Sequence, residues 1–211
     1  MKTKITAPEI ERYIQNLYPA EDPVLREMEA LAKKNDFPII GPLVGRLLYQ
    51  LTHMISAKRI FELGSGFGYS AFWFSLALPR DGQIFLTDGS KTNLKQAKDF
   101  LIKANLAHLA TFHSGNALQI LKKSSGPFDI ILMDIDKEEY PKAIPIIKSK
   151  LCVGGLLITD NLLWSGRVLE RSGEPSTMAI KKYNRNLFND CDFISTLMPV
   201  RDGVGVSLRI N

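Results

Sequence analysis

The sequence predicts an α/β fold: a seven-stranded, mostly parallel sheet with an antiparallel last strand, helices on both faces and extra N-terminal helices. Three observations support this prediction. From Lys58 onward, short apolar segments alternate with helical ones, which is the pattern of βαβ units. The apolar segments are continuous, as expected for parallel strands buried on both faces. The chain ends in two apolar segments separated by Arg-Asp-Gly, which predicts a final antiparallel hairpin.

Three helices are predicted in the first 57 residues. The first, residues 8–18, carries apolar residues at helical spacing on one face: Ile10, Tyr13, Ile14 and Leu17. The second, residues 21–35, has Asp22 as its predicted N-cap and Pro23 at its first helical position. The third, residues 41–55, is apolar enough to pack against a large surface.

Strands and helices alternate in the rest of the chain. The predicted strands are residues 59–64, 82–89, 110–116, 128–136, 154–161, 193–200 and 204–210. The predicted helices are residues 68–79, 90–106 (with Ser90 at its start), 117–123, 137–151 (with Pro141 near its first turn) and 176–190. In open α/β sheets, ligands bind beyond the carboxyl ends of the strands, so functional residues are expected at those ends.

The first strand ends in the glycine-rich segment ELGSGFGYS, residues 62–70. Glycines let the backbone turn sharply and approach a ligand, and the helix that follows favours an anionic group at its N-terminus. The spacing is G-x-G-x-G, with Tyr69 where a dinucleotide fingerprint has its third glycine, which disfavours NAD. The alternative is a tight turn with nothing bound.

The next two strands end in residues suited to a nucleoside. Asp88 follows the glycines by about two dozen residues, where a carboxylate can bind both ribose hydroxyls. It could instead only form an Asp-Gly turn. Asn116 could recognise an adenine edge, or merely cap the helix after it.

Oxygen-bearing side chains end the fourth and fifth strands. Asp134 terminates one apolar run, with Asp136 and Lys137 just after it, and Asp160 and Asn161 terminate the next. Oxygen ligands without His or Cys suit Mg²⁺ or another hard divalent cation. The alternative is a hydrogen-bonded network at the sheet edge.

Together these motifs resemble the divalent-metal-dependent O-methyltransferases related to catechol and caffeoyl-CoA O-methyltransferases, in their small bacterial branch. The resemblance covers nearly the whole chain, through FPII, GRLLYQL, FELGSGFGYSA, LMDIDKEEY, ITDNLLWSGRV and MPVRDGVGVSL. The D-x-x-K and T-D-N combination is its specific part. It implies the Rossmann-like class I methyltransferase fold in a single domain, residues 1–211. Residues 1–57 would form the lid, dimer or acceptor region, and residues 58–211 the donor-binding sheet.

The resemblance also assigns roles to residues. The metal ligands would be Asp134, Asp160 and Asn161; Lys137 would be the general base, acting beside Asp134. The acceptor pocket would include Ile40 and Trp164. Contacts to S-adenosylmethionine would come from Glu62, Gly64, Ser65, Gly66, Tyr69, Ser70, Asp88, Gly89, Asn116, Ala117 and Asp134. Asn116 stands where the family more often has Asp, and Asp136 has no role in the pattern.

The implied reaction is Mg²⁺-dependent methyl transfer to an aromatic small molecule with two adjacent hydroxyls. A hydroxylated wobble uridine of tRNA is an alternative acceptor, compatible with the net charge of +5 and with a basic group near the predicted site: Arg167, Arg171, Lys181, Lys182 and Arg185. The lysines are scattered, which favours an ordinary enzyme surface over an RNA-binding one. A nicotinamide-dependent oxidoreductase and a catalytically silent interaction module are the alternatives of other classes.

Composition indicates where such a protein works. No apolar run approaches the roughly 20 residues of a membrane span, and the first residues lack the apolar segment of a signal peptide. Cys152 and Cys191 have no ligand spacing and are interpreted as two buried thiols in a reducing compartment. We therefore expect a cytoplasmic enzyme without a membrane partner, and the family resemblance suggests a homodimer.

Overall fold

The computed structural model describes residues 5–18, 22–171 and 173–211; residues 1–4 and 19–21 of the predicted N-terminal region, and residue 172, lie outside them. The helices are α1 (Pro8–Asn16), α2 (Pro23–Lys34), α3 (Gly41–Met54), α4 (Tyr69–Ala77), α5 (Lys91–Lys103), α6 (Ala117–Lys123), α7 (Tyr140–Lys148) and α8 (Pro175–Phe188). The strands are β1 (Arg59–Leu63), β2 (Gln83–Asp88), β3 (Ala110–Ser114), β4 (Phe128–Met133), β5 (Leu151–Thr159), β6 (Phe193–Met198) and β7 (Val204–Arg209). Short 3₁₀ segments span Ala107–Leu109, Lys137–Glu139 and Trp164–Leu169.

The strands form one sheet in the order β3-β2-β1-β4-β5-β7-β6. Strands β1 to β5 pair in parallel, and β7 runs antiparallel to both of its neighbours, β5 and β6. The predicted seven-stranded sheet with an antiparallel last strand is confirmed. The chain reverses its direction of travel across the sheet between β1 and β4, and a ligand crevice is expected at this switch point.

Helices cover both faces of the sheet, as predicted. One apolar cluster joins α2, α3, α4 and α5 to the sheet, with Met28, Leu48 and Phe72 fully buried. The other joins α6, α7 and α8 to the opposite face, around Tyr140 and Tyr183. Strand β1 contributes to both clusters because successive side chains of a strand point to opposite faces.

Helix α1 differs from the other N-terminal helices because none of its residues is buried. Its predicted apolar face is largely open, with Ile10 52% and Tyr13 63% exposed. By contrast, α3 buries seven residues and lies against α4. The extra N-terminal helices are therefore present, but α1 is not part of the core.

The predicted boundary between helix 137–151 and strand 154–161 is wrong. Helix α7 ends at Lys148, and β5 already begins at Leu151, which pairs with Phe128. The strand passes through Gly154, whose φ of +83° lies in the left-handed region, and the register shifts there before Ile130 pairs with Leu156. Gly154, the predicted first residue of a strand, therefore marks an irregularity inside one.

Local signals were more reliable at helix starts. The Asp22 side chain accepts a hydrogen bond from the Val24 N–H at 2.7 Å, and the Ser90 hydroxyl accepts one from the Asn93 N–H at 3.3 Å. Asp22 is therefore an N-cap, as predicted, and Ser90 is the N-cap of the helix predicted to start at this residue.

The interpretation of the two cysteines as buried thiols is wrong. Cys152 is half-buried and Cys191 is exposed; both are free. No helix among the described residues is both long and apolar enough to cross a bilayer.

Candidate active site

The parallel strands bring the predicted functional residues to one edge of the sheet. Leu63 of β1 is level with Thr87 of β2 and with Met133 of β4, which in turn is level with Thr159 of β5. The residue that follows each of these positions is therefore at the same edge. Those residues are Gly64, Asp88, Asp134 and Asp160.

A cleft of about 1070 Å³ opens at this edge. It is large enough for a nucleoside-sized ligand and a second small molecule. It is lined by these predicted site residues: Ile40, Gly64, Ser65, Gly66, Tyr69, Ser70, Asp88, Gly89, Asn116, Ala117, Asp134, Lys137 and Trp164. Glu62, Asp160 and Asn161 are not among the residues that line it.

The glycine-rich loop needs glycine at Gly64 for steric reasons. Its φ is +85°, and a Cβ there would lie only 2.1 Å from the carbonyl oxygen of Asp134. The loop therefore lies directly against the end of β4. Its next turn is fixed by the Gly66 N–H, which donates to Asp88 Oδ2 at 2.9 Å.

Asp88 is a structural acceptor within the protein. Besides Gly66, its other oxygen accepts hydrogen bonds from the Ser90 N–H at 2.7 Å and from Asn93 Nδ2 at 3.2 Å. A carboxylate offers about four acceptor positions, so the predicted ribose contact would share this side chain with the loop. Asp88 therefore lies in the cleft and also ties β2 to the glycine-rich loop.

Asn116 caps helix α6. Its Oδ1 accepts a hydrogen bond from the Gln119 N–H at 2.9 Å, and the residue also lines the cleft beside Ala117. The capping role considered from the sequence is therefore present, and recognition of adenine stays a prediction.

Glu62 lies beneath the cleft wall and is completely buried. Neither carboxylate oxygen accepts a hydrogen bond of normal geometry. Burial raises its pKa to about 7; the hydroxyls of Ser70 and Ser65 oppose this rise, and the charge of Asp134 adds to it. A buried carboxylate without a hydrogen bond of normal geometry is costly in an apolar interior.

Tyr69 is buried at the start of α4, and its hydroxyl donates to Glu29 Oε1 at 2.5 Å. The contact joins the glycine-rich segment to α2. The predicted donor-binding residue Tyr69 thus lines the cleft while its hydroxyl contacts the N-terminal helices.

Lys137 is paired with Asp134 at the inner part of the cleft. Its Nζ lies 2.6 Å from Asp134 Oδ1 and donates to the Tyr140 hydroxyl at 2.8 Å. Burial raises the pKa of Tyr140 well above its ordinary value, so its hydroxyl remains protonated and donates to the backbone carbonyl of Asp160 at 3.1 Å. Tyr140, which sequence reasoning did not identify, therefore connects the ends of β4 and β5.

Asp160 is 7% exposed, and its pKa is raised to about 7. Burial is the main cause, and the negative charge of Asp134 is the next. The charges of Lys137 and Arg201 act in the opposite direction. The two predicted carboxylate ligands follow paired positions of β4 and β5, Met133 and Thr159, and their like charges disfavour each other's ionised form.

Asn161 follows with a left-handed backbone, at φ +63°. Its Nδ2 donates to Asp202 Oδ2 at 3.5 Å. Asp202 lies in the hairpin between β6 and β7 and was not identified from the sequence.

The predicted acceptor residues lie in the cleft wall. Trp164 is flanked by two cations, with Arg167 Cζ 4.2 Å and Lys137 Nζ 5.8 Å from its ring centre. Ile40 and the preceding residues 37–39 line the cleft from the N-terminal side. The sequence signal for that segment was the FPII motif, of which only Ile40 was assigned to the pocket.

Comparison with known proteins identifies the family. A sequence model of the O-methyltransferase family matches residues 16–210. The chain belongs to this family. The predicted enzyme class, an S-adenosylmethionine-dependent O-methyltransferase, is confirmed by this membership, which also decides against an oxidoreductase and a silent interaction module.

Similar proteins come from plants and bacteria. Caffeoyl-CoA O-methyltransferase 2 from Populus trichocarpa is 31% identical over 92% of this chain and 85% of its own length. The O-methyltransferase TomG from Streptomyces achromogenes, solved in complex with SAM, is 25% identical with a TM-score of 0.88, covering 96% of each chain. A methyltransferase structure from Geobacter sulfurreducens is 27% identical with a TM-score of 0.83, covering 98% of this chain and all of its own. The predicted class I methyltransferase fold is confirmed.

Proposed function

We propose that this methyltransferase transfers a methyl group from S-adenosylmethionine to one hydroxyl of an aromatic small molecule with two adjacent hydroxyls, assisted by a divalent cation. One observation carries the proposal. Two carboxylates of like charge end neighbouring strands beside Lys137: Asp134, which lines a large cleft, and Asp160, which is buried at the end of the next strand.

The proposed donor site is the part of the cleft between the glycine-rich loop and β2. S-adenosylmethionine carries a cationic sulfonium and an ammonium group, which fit a cleft whose wall covers the unpaired carboxylate of Glu62. Gly89 leaves open space beside Asp88, since a Cβ there would meet nothing within 4 Å. Asp88 would bind the ribose hydroxyls, and Asn116 and Ala117 would lie beside the adenine.

The proposed cation ligands are Asp134, Asp160 and Asn161. Their donor atoms are carboxylate and amide oxygens, which fit Mg²⁺. The raised pKa of Asp160 supports this assignment, because a group of like charges held together in a buried site is stabilised by a cation. When bound, the cation would hold the acceptor oxygens and make a phenolic hydroxyl easier to ionise near neutral pH.

Lys137 is proposed to accept the proton from the acceptor hydroxyl. Its Nζ is fixed between Asp134 and the Tyr140 hydroxyl, and its side chain is only 10% exposed. Lys137 would release Asp134 when that carboxylate binds a cation, lose one proton to solvent beside the added positive charge, and then accept the proton of the acceptor hydroxyl as a neutral amine. The rest of the contribution of the protein would be the alignment of two bound partners.

The charges around the cleft support a small neutral or cationic acceptor. Lys137 is the single basic residue among the described residues that line the cleft, where it accompanies these acidic ones: Asp88, Asp134, Asp136, Glu138 and Glu139. A polyanion such as tRNA would be repelled by that rim. Arg167, although stacked on Trp164, is not among the lining residues, and neither are the other members of the basic group.

A small acceptor panel with methyl-labelled S-adenosylmethionine tests the proposal. We expect methylation of the neutral acceptor catechol in Mg²⁺, none of phenol, which lacks the second hydroxyl, and none of any acceptor in excess EDTA. Full turnover in EDTA would contradict the role of the cation. Methylation of undermodified tRNA without methylation of catechols would favour the tRNA alternative.

We also propose a cytoplasmic homodimer. The open apolar face of α1 supports an association through the N-terminal helices, and two free cysteines fit a reducing compartment. Sedimentation velocity of the protein and of a Tyr13→Asp variant tests the dimer; a monomer at all concentrations would contradict it.

A further inference from the structure

The turn that follows β5 is attached to the tip of the β6–β7 hairpin by a set of hydrogen bonds. The Leu162 N–H donates to the carbonyl of Gly203 at 2.9 Å, and the Leu163 N–H donates to the carbonyl of Asp202 at 2.9 Å. The Asp202 side chain also accepts a hydrogen bond from the Ser165 N–H through Oδ1. This turn, residues 161–165, connects the proposed cation ligand Asn161 to the acceptor wall at Trp164.

The same turn contains several non-glycine residues in the left-handed backbone region. The φ angles are +63° at Asn161, +48° at Trp164 and +55° at Ser165, and Arg201 in the hairpin has +50°. Each such residue costs on the order of 1 to 3 kcal/mol and persists only where its surroundings fix it. The hydrogen bonds to Asp202 are the contacts that fix this turn most directly.

Asp202 also determines which atom of the Asn161 amide is available. Its Oδ2 accepts a hydrogen bond from Asn161 Nδ2 at 3.5 Å. The nitrogen and oxygen of an amide are bonded to the same carbon and point in different directions. When Asp202 accepts the hydrogen bond from the Asn161 nitrogen, the Asn161 oxygen therefore remains available to another partner. A flipped amide would present N–H groups to a cation, which would repel it.

The neighbouring residue, Arg201, extends the attachment to the opposite wall of the cleft. Its Nη1 donates to the carbonyl oxygen of Ile39 at 2.7 Å, and the guanidinium occupies the space where a Cβ on Gly41 would lie. Ile39 and Ile40 both line the cleft. The hairpin tip is therefore bonded to both sides of the proposed acceptor pocket.

We propose that Asp202 is a positioning residue of this enzyme: it orients the Asn161 amide toward the cation and holds the strained turn that carries Trp164. This inference rests on the proposed cation site. It predicts that loss of Asp202 weakens cation binding in the protein alone, before any donor or acceptor is present.

Binding of Mn²⁺ to the full chain, followed by the electron paramagnetic resonance signal of the free ion, tests the inference without turnover. Asp202→Ala should weaken Mn²⁺ binding by about 10-fold or more, as loss of partners behind metal ligands usually does. Asp202→Asn keeps one acceptor oxygen and should weaken binding by roughly threefold or more. Asp81→Ala removes the same charge just before β2, where Asp81 pairs with Lys58 at the opposite edge of the sheet, and should leave binding within about twofold.

Fluorescence of Trp164 gives a second readout. The chain has two tryptophans, and Trp73 is only 5% exposed, so quenching by iodide reports mainly on Trp164. Quenching should increase in Asp202→Ala relative to the wild type and to Asp81→Ala.

The outcomes separate the inference from the function on which it rests. If the wild type binds Mn²⁺ and both Asp202 variants bind it equally well, the positioning role is overturned and the cation site stands. If the wild type does not bind Mn²⁺, both are overturned. Should Asp202→Ala fail to fold, the near-isosteric Asp202→Asn variant decides.

Discussion

Replacement of Asp160 by asparagine is expected to stabilise the cation-free protein at neutral and alkaline pH, and to remove its stabilisation by Mg²⁺. Asp160 is almost completely buried beside Asp134, and both its burial and that neighbouring charge disfavour its ionised form. The asparagine side chain has nearly the same shape but no charge, so it removes the cost of an ionised carboxylate at this buried position. Ordinary surface carboxylates behave differently, because their ionised form is hydrated.

The size of the effect follows from the pKa of Asp160, about 7 in the folded protein against an ordinary value of 3.8. The folded state then binds more protons than the unfolded state between these values, so the wild type loses stability as the pH rises from about 4 to about 7. At about 1.4 kcal/mol for each tenfold change, the ionised carboxylate costs at most roughly 4 kcal/mol above pH 7. Asp160→Asn should recover part of this energy at pH 8 and none of it at pH 4.

Urea unfolding in EDTA and in Mg²⁺, at several pH values, measures both parts of the prediction. Saturating Mg²⁺ at about 100 times its Kd should stabilise the wild type by about 2.7 kcal/mol and Asp160→Asn by much less. Glu62→Gln is a matched control, since Glu62 is also buried with a pKa of about 7 but is not a proposed cation ligand. Like Asp160→Asn, the Glu62→Gln variant should be more stable than the wild type at pH 8 and not at pH 4. Unlike Asp160→Asn, it should still be stabilised by Mg²⁺ as much as the wild type. An Asp160→Asn variant that is stabilised by Mg²⁺ as much as the wild type would refute the reasoning.

Further variants test the other parts of the site. Lys137→Met should lower kcat by roughly 100-fold or more, as loss of a general base does, with little change in the calorimetric Kd for S-adenosylmethionine; an unchanged kcat would exclude Lys137 as the base. Asp88→Ala should weaken donor binding by about 10-fold or more, because it removes charge-assisted hydrogen bonds to the ribose and to the glycine-rich loop; equal Kd values would show that the ribose is bound elsewhere. Gly64→Ala places a carbon 2.1 Å from a carbonyl oxygen and should lower the free energy of unfolding by about 2 kcal/mol or more. Gly89→Ala meets nothing within 4 Å and should change that free energy by less than about 0.5 kcal/mol; equal stabilities of the two alanine variants would contradict the steric argument.

The sequence identified those site residues that end a strand of the parallel sheet. Asp134 and Asp160 each interrupt a continuous apolar run, and parallel strands in register carry both to the same edge. No distance information was needed for that step. The same reasoning located Asp88, although the sequence did not reveal that its carboxylate also holds the Gly66 N–H.

Contacts between distant segments were not predictable in this way. Asp202 is 41 residues from Asn161, and it reaches that side chain because β7 inserts between β5 and β6. A hairpin pattern in the sequence does not determine which of its two strands pairs with β5. The pairing of Arg201 with the carbonyl of Ile39 likewise depends on how the N-terminal segment packs over the finished sheet.

The boundary at Leu151 shows a second limit. A glycine pair inside an apolar run, at Gly154 and Gly155, is equally consistent with a turn and with an irregular strand. Pairing of Leu151 with Phe128 determines the outcome, and that contact is not local.

A crystal grown with Mn²⁺ and S-adenosylmethionine would test the central claim most directly, through the anomalous signal of the metal. We predict a single strong peak coordinated by oxygens of Asp134, Asp160 and Asn161, next to the methyl group of the donor. A peak elsewhere, or these three side chains pointing away from one another at saturating Mn²⁺, would contradict the proposed site.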